Sequence, residues 1–123
     1  MSQKVLNSLE ILASKPLSNA TAMPKELYTS NEILSLEEDL IFNKEWICVG
    51  RATEIPKVGD YFTYQLGKQP IIILRDRSKK IKAMSNICLH RMMKIVEDKG
   101  NKKSFTCPYH AWTYNLDGNL VMA

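Results

Sequence analysis

Four side chains suited to binding a transition metal lie close together in the stretch "NICLHRMMKIVEDKGNKKSFTCPYHAWTYNLDGNL", residues 86–120. They form two pairs, Cys88-x-His90 and Cys107-x-x-His110, in a chain that holds only three cysteines and two histidines. Thiolates and imidazoles are soft and borderline ligands, which select zinc or an iron–sulfur centre over calcium or magnesium. Each short spacing lets one loop present both of its side chains to a single centre. The intervening residues 91–106 are long enough to bring a second loop in from across a sheet. A lone buried Cys or His is usually packing; packing does not explain why both histidines and two of the three cysteines share this segment.

A structural zinc site of the Cys2His2 type groups its ligands as a cysteine pair and a histidine pair. Here each arm carries one of each. That fits a two-iron cluster in which two cysteines hold one iron and two histidines the other. A structural zinc module stands as the alternative.

The elements that must position these residues are legible on either side. Upstream, Val5, Leu9 and Leu12, with Leu6 and Ala13 beside them, recur at helical spacing, and Pro16 ends that segment. A small-polar linker, "LSNATAMP", follows. Thr29 and Glu32 make a T-x-x-E pattern that predicts a capping box for a second helix, with Ile33, Leu36 and Leu40 as its buried stripe. Near Trp46 the pattern changes to short β-branched and aromatic runs, "WICVGR", "YFTYQL", "PIIILRD" and "IKAMSN", separated by turn signals. "WTYNLDGNLVM" predicts a hairpin with positive φ at Asp117 and Gly118. Cys48, in the apolar "WICVG", is expected to be a buried structural thiol.

Composition narrows the class. At 123 residues and 45% hydrophobic, the chain is one domain with a real core. The net charge of +4 is scattered, with no aromatic-interleaved basic stripe, so nucleic-acid binding is not expected. The N-terminus lacks the apolar run and small-x-small site of a signal peptide, and no run has membrane-spanning length. The expectation is a cytoplasmic protein without a disulfide framework.

The pattern C-x-H followed by C-x-x-H resembles the binding motif of Rieske 2Fe–2S proteins. The resemblance makes Cys88, His90, Cys107 and His110 the cluster ligands. "NICLHR" and "CPYHAWTYNLDGNL" are similar to the two cluster loops of the large subunits of Rieske non-haem iron oxygenases, the ring-hydroxylating dioxygenase group. "YTSNEILSLEEDLIFNKEWICVGRATEIPKVGDYFTYQLGKQPIIILRD" is similar to that family's N-terminal stretch, so the likeness runs over residues 24–123. Met92 and Ala111 stand where the family usually has a glycine, and both add bulk beside the cluster. The respiratory Rieske proteins carry an additional cysteine in each loop, paired as a disulfide, and a serine bonded to a bridging sulfur. Met93, Tyr109 and Trp112 occupy those positions here. Fewer hydrogen bonds to sulfur lower the potential, so the resemblance implies the low end of the Rieske range, roughly −150 mV. Trp112 and Tyr114 are expected to pack under the loops and Tyr109 to shield the cluster. Arg91 is expected either to bind a carboxylate or a partner, or to face solvent.

The resemblance implies a mainly β fold: a small antiparallel β-sandwich Rieske domain over residues 46–123, preceded by a helical arm and linker over residues 1–45. It implies the Rieske domain of an oxygenase large subunit. Such a domain takes one electron from a reductase or ferredoxin and delivers it to a mononuclear iron in a catalytic domain or neighbouring subunit of an oligomer. That iron needs a 2-His-1-carboxylate triad, and both histidines here are already used. The mononuclear non-haem Fe(II) is therefore expected only in a catalytic domain outside this sequence, as are the family's closing strands. The alternative is a free-standing Rieske-type ferredoxin, favoured by length alone. The helical region and "EWICVGRATEIPKVGDY", which small ferredoxins usually lack, favour the oxygenase reading.

Overall fold

The computed structural model describes residues 3–123, divided into two units between Trp46 and Ile47. The helical unit holds α1 (Gln3–Ala13), α2 (Glu26–Thr29) and α3 (Asn31–Glu37). Val5, Leu6 and Leu12 of the predicted stripe are half-buried, while Leu9 and Ala13 are exposed. Pro16 leads into a short 3-10 turn, Leu17–Asn19, as expected of a residue that cannot continue a helix. The predicted capping box does not form. Thr29 is already the last residue of α2, where its hydroxyl donates back to the Lys25 carbonyl (3.2 Å), and Ser30 becomes the N-cap of α3. Leu40 of the predicted stripe is exposed. Beyond Glu37 the helix widens into a π turn, Glu38–Phe42, where the Asn43 N–H bonds the Glu38 carbonyl (2.9 Å). That extra residue per turn rotates the stripe away from Ile33, which is buried.

The second unit is antiparallel β. One sheet has the order β3-β2-β1-β4, from β1 (Asp60–Leu66), β2 (Gln69–Arg75), β3 (Ile81–Ser85) and β4 (Lys99–Asn101). The other has the order β5-β6-β7, from β5 (Phe105–Thr106), β6 (Thr113–Tyr114) and β7 (Leu120–Met122). Tyr61 pairs with Leu74 and Ile73 with Ala83, so β2 is central, and its Ile72, Ile73 and Leu74 are all buried. "WICVGR" is not a strand: residues 46–51 pair with nothing. β4 occupies the outer edge of β1, with Tyr61 opposite Gly100. Cys48 on that unpaired segment is consequently exposed, contrary to the expectation of a buried thiol. In the β6–β7 hairpin only Gly118 has positive φ. The Asn115 side chain accepts from the Asp117 and Asn119 N–H groups, and this Asx turn holds Asp117 out of the left-handed region.

The sheets share one core of Tyr61, Ile72, Leu74, Cys88, Ile95, Phe105, Cys107, Tyr114 and Leu116. Tyr61 meets Phe105 edge-on at 5.3 Å, which joins the two sheets. At one end Asp76 is buried yet satisfied, accepting from the Ser78 hydroxyl and the Lys80 N–H (both 2.8 Å) and pairing with Lys82 at 3.2 Å. Lys82 also pairs with Asp117 in the β6–β7 turn. Among the described residues no helix is long and apolar enough to cross a membrane.

Candidate metal centre

Two loops leave these sheets, residues 88–93 after β3 and residues 107–112 between β5 and β6, and they share one backbone design. The Cys88 N–H donates to the Met93 carbonyl (2.8 Å) and the Cys88 carbonyl accepts from the Met92 N–H (2.9 Å). The Cys107 N–H donates to the Trp112 carbonyl (2.8 Å) and the Cys107 carbonyl accepts from the Ala111 N–H (3.0 Å). Each loop turns on a residue in the left-handed region, Met92 (φ 56°) and Ala111 (φ 61°). These are the two positions where glycine was expected. The side chains do not derail the loops; they sit at the glycine angle with some strain, of about 1–2 kcal/mol each.

The design puts the cysteines inward and the histidines outward. Cys88 and Cys107 are 1% and 3% exposed, as members of the core. His90 and His110 are exposed, with rings edge to face at 4.8 Å. Among the described residues no three His, Cys, Asp or Glu side chains converge to hold a single ion. A buried thiol pair beneath an exposed imidazole pair suits a two-iron cluster, and the donor set fits it.

The electrostatics favour the ligating forms. Burial raises the Cys88 thiol. Hydrogen bonds from the Tyr114 hydroxyl, the His90 N–H, Cys107 and the Arg91 N–H outweigh burial and bring it below the usual thiol range. Burial first, then His90 and Arg91 nearby, lower the His110 imidazole from its ordinary value.

Tyr114 packs under the loops as expected, but its hydroxyl has a role the sequence did not suggest, and the part played by Asn86 was not legible at all. The Tyr114 hydroxyl lies 3.5 Å from the Cys88 sulfur and accepts from the Leu89 N–H at 3.0 Å. A thiolate has no proton to give, so with Cys88 ionised the phenol is the donor. Burial pushes that phenol above its ordinary range, and Cys88 adds to the shift. The sulfurs therefore keep one hydroxyl donor despite the absence of the serine. Asn86, wholly buried, takes the N–H groups of Ile95 and Val96 on its side-chain oxygen (3.1 and 3.0 Å) and donates to the Val96 carbonyl (2.7 Å). A period-two strand pattern gave no hint that this side chain closes a loop. Tyr114 is buried beneath the loops, and Trp112 packs on the core but also lies against His90. Tyr109 is 55% exposed, its ring centre 3.9 Å from that of His110. Arg91 is exposed and makes no side-chain hydrogen bond or ion pair among the described residues.

Residues 45–123 match the family described as the Rieske [2Fe-2S] domain. The chain belongs to that family. It is similar to several oxygenase subunits. Over 105 residues it is 39% identical to the carnitine monooxygenase oxygenase subunit of Acinetobacter baumannii, covering 85% of this chain and 28% of that protein. Over 108 residues it is 41% identical to the anthranilate 1,2-dioxygenase large subunit of Acinetobacter baylyi, covering 87% and 23%. Naphthalene 1,2-dioxygenase from Rhodococcus sp. superposes with a TM-score of 0.86 at 29% identity, over 99% of this chain and 28% of that one. The Rieske chain thus spans about a quarter of the length of these relatives. The mainly β fold with cluster loops and a helical segment ahead of it, expected from the sequence, is the fold of these oxygenases. The 2Fe–2S cluster is the cofactor of the Rieske domain.

Proposed function

We propose that Cys88 and Cys107 hold one iron of the cluster and His90 and His110 the other. On this reading residues 46–123 are the Rieske domain of an oxygenase large subunit and residues 1–45 the arm before it. When bound, the cluster takes up and releases one electron. The chain's residues hold it at the surface: the cysteines root it in the core, and the paired imidazoles face outward at 4.8 Å. That exposed histidine edge is the observation that carries the reading, because an electron leaves most readily through ligands that a partner can touch. The donor is a reductase or ferredoxin. The acceptor is the mononuclear iron of an oxygenase catalytic domain, in the same or a neighbouring subunit of an oligomer. Relatives named for carnitine and for anthranilate share this domain, so its part is the electron rather than the substrate. A cytoplasmic setting, expected from the sequence, is part of this reading.

The test is reconstitution with iron and sulfide. The protein should be red-brown, with a rhombic reduced spectrum of low average g-value. Cys88→Ser and Cys107→Ser should prevent assembly. A colourless protein with one zinc per chain and no acid-labile sulfide rejects the reading, as does an unchanged spectrum in His90→Ala or His110→Ala.

A further inference from the structure

The cysteines and the histidines are held by different forces. The cysteine side chains are fixed by burial. His90 lies on an exposed loop, and its ring makes no hydrogen bond among the described residues. What holds that ring comes from the other loop. His110 meets it edge-on at 4.8 Å, and Trp112 stacks on it at 5.0 Å with only 11° between the planes. Trp112 is itself fixed twice: its carbonyl is latched to the Cys107 N–H, and its indole packs against the core.

We infer that Trp112 is a positioning residue for the histidine half of the site: its indole sets the plane of the His90 imidazole across the loop boundary. This rests on the ligand assignment proposed above. A flat stack biases a ring's orientation on the order of two- to tenfold over its alternatives. An imidazole binds metal only along the in-plane lone pair of its nitrogen, so fixing the plane fixes the direction of the donor. One loop thereby presets both histidines, His110 directly and His90 through the indole. A residue that only fills space would need bulk at position 112; a positioning residue needs a flat face.

The two roles separate in a pair of variants of the reconstituted full chain. Trp112→Leu keeps apolar bulk and loses the face; Trp112→Phe keeps a face. We expect the Leu variant to lose its cluster to a chelator on the order of tenfold faster than the parent, with a changed anisotropy of the reduced spectrum. The Phe variant should stay within about twofold in rate, with the parent's spectrum. Identical retention and spectra in the two variants overturn the inference. A His90→Ala control keeps the readings apart. If it leaves the parent spectrum intact, the ligand assignment has failed. If it abolishes the spectrum while the Leu variant is unaffected, only the role of Trp112 has failed. Should the Leu variant not fold, the unaltered apo-protein decides: ring-current shifts from the indole must move the His90 ring protons upfield, and random-coil positions for them refute the stack.

Discussion

The loops 88–93 and 107–112 repeat the same hydrogen bonds and the same left-handed residue, yet they are closed by different means. The second is the tip of a hairpin: β5 and β6 pair Thr106 with Thr113 and Phe105 with Tyr114, and the two threonine hydroxyls meet at 3.0 Å. The first has no such ladder. Beyond the single bridge between Ile87 and Lys94, its ends are gathered by one buried amide, Asn86. A local geometry that is easily repeated can thus be supported by a strand pair on one side and by a single side chain on the other. The second support is spread over several residues; the first is concentrated in one.

Removing Asn86 should therefore have the largest effect. Asn86→Ala leaves the Val96 N–H and carbonyl without partners and should cost about 3 kcal/mol. It should strip the cluster from the first loop first. Denaturant unfolding alongside iron retention measures both, and a loss below about 1 kcal/mol would show that the ladderless loop has another support. Tyr114→Phe cuts the hydroxyl that ties β6 to Cys88 and Leu89 of the first loop. It should cost about 1–2 kcal/mol and lower the reduction potential, because a donor to a thiolate favours the reduced state. An unmoved potential in film voltammetry would remove Tyr114 from that role.

Met92→Gly and Ala111→Gly sharpen the comparison. Each relieves left-handed strain and gives up part of the gain to chain entropy, for a net stabilisation of about 0.5–1 kcal/mol. Equal gains in thermal unfolding would establish that the two turns are equivalent; a gain in one alone would show that their likeness is only geometric. The last comparison is read in acid, at the strut that runs from Asp76, between β2 and β3, through Lys82 of β3 to Asp117 in the β6–β7 turn. Burial raises the Asp76 carboxyl, but Ser78, the Lys80 N–H and Lys82 outweigh it and hold it at about 2, below the ordinary 3.8. A depressed carboxyl stabilises the fold above its unfolded value, and that contribution is lost as pH falls through the folded one. Stability should thus decline between about pH 4 and pH 2, and Asp76→Asn should flatten that decline. An unchanged acid profile in the variant would assign the decline to other carboxylates.

What could be read in advance follows from range. β1, β2 and β3 were legible because "YFTYQL", "PIIIL" and "IKAMS" carry their β-branched and aromatic residues in the run itself. The four metal-binding side chains were legible because their chemistry is rare and their spacing local. The fate of residues 46–51 was not legible because a strand needs a partner, and partners are settled between segments far apart in the chain, as β1 and β4 are. The capping of α3 turned on Thr29 already belonging to α2, and the stripe at Leu40 on a π turn that no residue type announces. Asn86 and Tyr114 act across distances in sequence that only the fold closes. The glycine-like angles of Met92 and Ala111 could be read only as anomalies of residue type.

β7 has a consequence for how the protein behaves in concentrated solution. It is the outer strand of its sheet, and Leu120, Val121 and Met122 are all exposed. Its pairing with β6 is interrupted by a bulge: Thr113 faces Met122 and Tyr114 faces Leu120, so Val121 is the extra residue. Such an edge is a template for intermolecular strand addition, which natural sheets suppress with lysine, proline or a bulge. Of these devices the described residues of β7 carry the bulge, and Val121→Lys would add a charge to it.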